Sequence, residues 1–166
     1  MLLDELALTF VPQLGSKGIA HLIDLYGSAE RIYATSADTL ICYAELRNDI
    51  AQRIGARVGY KEAELELQYC EKYGIKVTSY NDYDYPTLLR EAPDRPHIIY
   101  SMGDVEALQS PHILSVVGTR KVSSYGESVC ARIIPELAEM FPDLVVVSGL
   151  AFGIDAAAHR AALAAG

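Results

Sequence analysis

The feature that most limits what this chain can fold into is a change of hydrophobic period at Gly74. Before it, apolar residues recur at helical spacing: Leu6, Leu8 and Phe10; Ile19, Leu22 and Ile23; Ile32; Leu40; Leu46, Ile50 and Ile54. Gly27 followed by Ser28 reads as the end of one helix and the N-cap of the next, and Ser36 opens a further short helix. Residues 60–73 place Ala63, Leu67 and Cys70 on one face and Glu62, Glu64, Glu66 and Glu71 outside it, with Gly74 as the stop. Residues 1–74 are therefore expected to form a compact all-α domain of four or five short helices.

After Gly74 short apolar runs alternate with helical stretches. Strands are expected at Ile75–Thr78, Ile98–Tyr100, Ile113–Val117 and Leu144–Val147. A brief helical turn follows Tyr85-Pro86, and longer helices are expected at about 125–140 and 155–165. Continuous apolar strands alternating with helices predict a parallel sheet covered on both faces, with the last two strands adjacent. Four strands make a thin sheet, and the alanine-rich tail stops after a helix where a doubly wound domain would begin another strand. Residues 75–166 are thus read as the first part of a larger sheet domain. The fold class is α/β.

Charge narrows the function. The net charge is −8, and each half of the chain carries seven basic and eleven acidic residues, so neither is a globally basic nucleic-acid coat; a local cationic pocket survives. Cys42, Cys70 and Cys130 lie far apart and read as reduced structural thiols. The four histidines show no metal-ligand spacing, so neither a metal nor a cofactor is expected. No apolar run is long enough for a bilayer span, and the first residues lack a basic signal-peptide region, which favours the cytoplasm and no membrane.

Two strand-end loops carry the chemistry. In the first, the strand at 113–117 runs into Gly118-Thr119-Arg120-Lys121-Val122-Ser123 before a helix. Ligands of open α/β sheets bind at the carboxyl ends of strands, and a helix N-terminus there suits phosphate. Gly118 permits close approach, Thr119 and Ser123 offer hydroxyls, and Arg120 offers a planar fork. The alternative is a plain turn with Ser123 or Ser124 as N-cap. In the second, the strand at 144–147 runs into Ser148-Gly149, with Gly153 and Asp155 ahead of the last helix. In a parallel sheet this loop opens on the same edge. Asp155 is read in preference as a helix N-cap, and His159 as a residue packed on the sheet.

Other signals are weaker. There is no G-x-G-x-x-G, no Walker-type loop and no nucleophile elbow at Ser148. Val11-Pro12-Gln13-Leu14-Gly15-Ser16-Lys17-Gly18 has the form of a helix-hairpin-helix turn, but Gln13 stands where the first glycine usually does. The tyrosines of Tyr80–Tyr85 could stack bases, yet Asp82 and Asp84 between them repel phosphate, and a packing and turn role is preferred.

Taken together, Tyr85-Pro86 with Leu88 and Leu89, Pro96 before Ile98-Ile99-Tyr100, Met102-Gly103, Val116-Val117-Gly118-Thr119-Arg120 with Ser124-Tyr125-Gly126, and Ser148-Gly149-Leu150-Ala151-Phe152-Gly153-Ile154-Asp155 with His159 resemble the DNA-processing protein A family, also called Smf. The match is collinear over residues 80–166. The helical half is similar in position to the sterile-alpha-motif-like domain, helix-hairpin-helix in kind, that precedes the Rossmann-like domain in many members. The resemblance implies a bacterial single-stranded-DNA-binding protein that protects incoming DNA in natural transformation and loads the RecA recombinase, with no enzymatic step. It implies a DNA pocket drawn from Gly118, Thr119, Arg120, Lys121, Ser123, Ser148, Gly149 and Gly153. It also implies a homodimer in the full-length family, through surfaces lying mostly beyond the part matched. Rival readings are a nucleotide phosphoribohydrolase related to the lysine-decarboxylase-like proteins, against which the missing P-G-G-x-G-T loop argues, and a protein-interaction module centred on residues 1–74.

Overall fold

The computed structural model describes residues 1–166, which divide into two compact units, Met1–Gly103 and Asp104–Gly166. The first opens with six helices: α1 (Leu2–Thr9), α2 (Ser16–Tyr26), α3 (Ala29–Ala34), α4 (Ala37–Tyr43), α5 (Asn48–Gly55) and α6 (Tyr60–Tyr73). Their boundaries follow local chemistry. Gly27 ends α2 at φ 82°, and the Ser28 hydroxyl then accepts from the Arg31 amide at the start of α3. Ser36 caps α4 in the same way through Thr39. Each such cap satisfies an amide that has no partner within the helix.

Leu6, Leu8, Leu22, Ile32, Leu40 and Ile54 are completely buried and form the centre of this unit. The apolar face expected for residues 60–73 is present: Ala63 and Cys70 are buried, and Leu67 packs against the core. The turn before α6 depends on Gly59. It sits at φ +100°, and a Cβ there would lie 2.5 Å from the Ala7 carbonyl oxygen and 2.9 Å from Phe10 Cβ. Tyr60 donates its hydroxyl to the buried Asp4 carboxylate at 2.5 Å, tying α6 to α1.

The helical run ends at Tyr73, where the period changes, but the compact unit continues to Gly103. Strand β1 (Lys76–Ser79) pairs antiparallel with β2 (Ile98–Ser101), with Lys76 opposite Ser101 and Ser79 opposite Ile98. Ile98 joins the helical core and Val77 packs against it. The expectation of one parallel sheet over residues 75–166 is therefore corrected: there are two separate two-stranded sheets. Parallel pairing of β1 with β2 would need a crossover helix between them. The connection offers only α7 (Thr87–Arg90), a single turn, and the chain doubles back instead.

That connection is held by its own aromatic cluster. Tyr85 is fully buried and donates to the Pro96 carbonyl at 2.6 Å. Arg95 lies 4.1 Å above the Tyr80 ring, and Arg90 donates to the Tyr80 carbonyl at 2.6 Å. Tyr80 and Tyr85 are thus occupied with packing, while Tyr83 is fully exposed.

In the second unit β3 (Ile113–Ser115) and β4 (Val145–Val147) are parallel neighbours, with Ile113 opposite Val145 and Ser115 opposite Val147. This is the adjacency the two apolar runs predict, although the bonded strands are shorter and Val117 is 89% exposed. The helices α8 (Ser124–Met140) and α9 (Ile154–Ala165) pack on them and on each other. Cys130 and Ile134 of α8 meet Ala157, Ala158 and Ala161 of α9, so the small side chains of the alanine-rich tail are what let the helices approach. No helix in the protein is long and apolar enough to cross a membrane.

Candidate functional site

Because β3 and β4 are parallel and adjacent, their carboxyl ends lie side by side, and so do the two loops that leave them. The ladder extends one step further, with the Val116 amide donating to the Val147 carbonyl at 2.9 Å. Beyond that point glycines join the loops. Gly153 adopts φ 87°, ψ −128°, a region closed to side-chain-bearing residues. A Cβ on it would stand 2.2 Å from the Thr119 carbonyl oxygen and 2.7 Å from that of Arg120. The next amide, Ile154, donates to the Thr119 carbonyl at 3.1 Å. The Ile154 side chain fills the space beside Gly118, where a Cβ would come within 2.7 Å of it. The two loops are therefore one rigid body, and the absent side chains of Gly118 and Gly153 make the contact possible.

Within this body Thr119 and Ser123 are committed to local order. The Thr119 hydroxyl accepts from the Lys121 amide at 3.1 Å. Ser123 is the N-cap of α8 and accepts from the Gly126 amide at 3.2 Å. The Thr119 hydroxyl also donates to the Lys121 carbonyl at 3.4 Å, whereas the Ser123 hydroxyl keeps its proton to donate, so capping and ligand binding are compatible at Ser123. Gly118, Thr119, Arg120, Lys121 and Ser123 are all exposed. The Arg120 guanidinium has no ion pair or hydrogen bond within the protein, and it lines an open cleft of about 260 Å³ with Leu150, Ala151, Phe152 and Ala156.

The second loop differs in detail from the sequence reading. The N-cap of α9 is Gly153, not Asp155. Asp155 lies in the first turn, is buried, and accepts from the Ala151 amide at 3.4 Å, closing its own loop. It also explains Gly149, where a Cβ would meet the Asp155 carboxylate at 2.9 Å. Ser148 follows β4 directly, but its hydroxyl oxygen is enclosed and has no protein partner. His159 is partly buried on α9, as its packed reading implied, and its Nε2 is likewise enclosed without a partner. Gly149 is exposed. The cluster thus offers surface donors from the first loop and a rigid backbone from the second. It has the cationic fork, open glycine backbone and hydroxyls that recognise a phosphate oxygen.

A family model described as DNA recombination-mediator protein A matches residues 76–166, which include every residue of this cluster. The chain belongs to that family. Among curated members of the DNA recombination-mediator protein A family, it is 42% identical over 124 residues to DNA processing protein DprA of Streptococcus pneumoniae, covering 71% of this chain and 43% of that protein. It is 30% identical over 122 residues to DNA processing protein DprA of Bacillus subtilis, covering 74% and 38%. An X-ray structure of DNA processing protein A from Streptococcus pneumoniae superposes with a TM-score of 0.76 at 26% identity, covering 99% of this chain and 54% of that one. The chain spans less than half the length of the curated relatives it matches.

The hairpin between α1 and α2 also gains a physical reading. Gln13, the departure from the glycine pattern, adopts φ 68° and so takes the left-handed conformation a glycine would supply. Arg53 donates to the Pro12 carbonyl at 3.0 Å and holds the turn against α5.

A buried polar group in the first unit had no signal in the sequence. Glu5 on α1 meets His97 Nε2 at 2.9 Å, accepts from the Ser79 hydroxyl, and accepts from Asn81 at 3.3 Å. Burial works to raise its pKa, but the bonds from His97, Ser79 and Asn81 outweigh it and hold the carboxyl below its ordinary value. The group fastens the β1–β2 hairpin to α1. Its members come from three segments as far apart as residues 5 and 97, which no local pattern could connect.

Proposed function

We propose that the Gly118-Thr119-Arg120 loop, with Lys121, Ser123 and the Ser148-Gly149 and Gly153 backbone beside it, binds the phosphate backbone of single-stranded DNA. In this reading the chain serves a recombination mediator that holds incoming single strands in the bacterial cytoplasm and hands them to a RecA-type recombinase, without a chemical step of its own. The observation that carries it is the unpaired, exposed Arg120 guanidinium held on two loops joined at Gly153. Family membership supports the macromolecular class, and the geometry supports the contact. The division of labour proposed along the chain is a helical, sterile-alpha-motif-like domain through residue 74, and a Rossmann-like DNA-binding domain beginning at residue 75.

A net charge of −8 repels DNA, so affinity has to come from a few focused contacts rather than a broad field. Each one then counts: a charge-assisted hydrogen bond contributes roughly 1.5–3 kcal/mol. Arg120→Ala is expected to weaken single-strand binding by about 10- to 100-fold. It should also reduce the salt slope by about 0.7, the share of one single-strand phosphate. Arg120→Lys restores only part, because an ammonium cannot present two parallel donors. The check is a salt titration of affinity for the three proteins, with folding confirmed by circular dichroism. Unchanged affinity and slope in a folded Arg120→Ala protein reject the pocket.

A further inference from the structure

The cleft that contains Arg120 has a second wall of a different kind. Apart from Arg120 it is lined by Leu150, Ala151, Phe152 and Ala156, all without charge. Phe152 is 86% exposed and Leu150 81% exposed, so two large apolar side chains stand in solvent directly beside an unpaired cation. The backbone holds them there. Phe152 precedes Gly153, whose chain lies on the Thr119 and Arg120 carbonyls, so the ring is anchored one residue from the contact that joins the loops. Leu150 is kept at φ 54°, a conformation a branched side chain rarely adopts, at the other end of the same turn.

We propose that Phe152 is a stacking platform for a nucleobase of single-stranded DNA, with Leu150 as the apolar edge of the seat, next to the phosphate held by Arg120. The proposal rests on the phosphate reading above and adds the base. In a single strand each phosphate is joined through one sugar to an exposed base, so a cation and an aromatic face side by side match one nucleotide. Stacking is indifferent to base identity, since every base has a π-face. A duplex hides those faces inside its stack, so the same pair of groups discriminates against it. Charge favours this occupant as well. The protein's net charge of −8 opposes every phosphate contact, whereas stacking a neutral ring is not opposed by it.

The chain contains no tryptophan, so Phe152→Trp places one fluorophore at the proposed platform. The expected result is strong quenching of its emission by oligodeoxythymidylate and little by a duplex of the same length. Phe152→Ala should lose about 5- to 100-fold in single-strand affinity, the range found when base-stacking aromatics are truncated. Its salt slope should stay at the wild-type value, because no phosphate contact is removed. On an oligonucleotide with abasic sites, wild type should fall to the level of Phe152→Ala.

Unquenched emission together with unaltered affinity of Phe152→Ala overturns the platform. If Arg120→Ala still weakens binding in that case, the phosphate pocket stands without it; if Arg120→Ala is also silent, both readings fail. Indole emission of the Phe152→Trp protein that is already blue-shifted without DNA, and shifts red on dilution as the protein dissociates, also overturns the proposal, since the ring is then covered by a second copy of the chain.

Discussion

Gly153→Ala tests the physical basis of the site more severely than removal of any functional group. The new Cβ would lie 2.2 Å from the Thr119 carbonyl oxygen, whereas real Cβ atoms essentially never come within 3.0 Å. The loops must therefore separate by about 0.8 Å, the shortfall between those two distances. The atoms in the way are backbone, so no side chain can swing aside. Separation breaks the Ile154 amide bond to the Thr119 carbonyl, a net cost of about 0.5–1.5 kcal/mol. Holding alanine at φ 87°, ψ −128° adds about 1–3 kcal/mol. The sum is about 1.5–4.5 kcal/mol, against a typical domain stability of about 5–15 kcal/mol. With a urea m-value of about 2 kcal/mol per molar, the unfolding midpoint of the second unit should drop by about 1–2 M. Single-strand affinity should fall with it under native conditions, because Arg120 rides on the displaced segment. Gly55→Ala is the control: a Cβ there meets only Ala37 Cβ at 4.0 Å, and added helix propensity makes the change neutral or stabilising by up to about 1 kcal/mol. The assay is urea denaturation followed by circular dichroism, paired with DNA titration. A Gly153→Ala protein with an unmoved midpoint and full affinity refutes the claim that this glycine joins the loops.

Two further outcomes concern the first unit. Gly59→Ala should destabilise it by about 2–4 kcal/mol, since its Cβ would strike the Ala7 carbonyl while the backbone stays at φ +100°; thermal or urea unfolding measures this, and a wild-type midpoint contradicts it. Glu5 gives a pH dependence of definite sign. Its folded pKa is lowered from 4.5, so its stabilising contribution is complete above that value and is lost as pH falls from 4.5 through the lower folded pKa. Urea midpoints measured across that window should fall more steeply for wild type than for Glu5→Gln, and parallel curves would refute the assignment.

The local punctuation of this fold was legible in the sequence because it depends on neighbours a few residues apart. The Gly27–Ser28 boundary, the Ser36 cap and the α6 face from Ala63 to Cys70 all appear where spacing and capping chemistry place them. The parallel adjacency of β3 and β4 was legible too, since a helix of crossover length lies between two apolar runs. From that adjacency alone, Gly118-Thr119-Arg120 and Ser148-Gly149 had to open on one edge.

Tertiary structure decided the rest, because the deciding contacts join residues with no sequence relation. Short apolar strands carry no mark of their direction, so the antiparallel β1–β2 hairpin emerged only once Ile98 and Val77 packed into the helical core. Gly153 looked like any loop glycine until the Thr119 and Arg120 carbonyls occupied the space of its side chain. The sequence by itself determined which elements form and which loops carry the glycines, hydroxyls and guanidinium proposed to bind phosphate, since propensity, capping and side-chain type act locally. Only the folded chain determined that Asp155 closes a loop rather than caps a helix, that Glu5 meets His97, and that Phe152 stands exposed beside Arg120, since burial and proximity belong to the packing of distant segments.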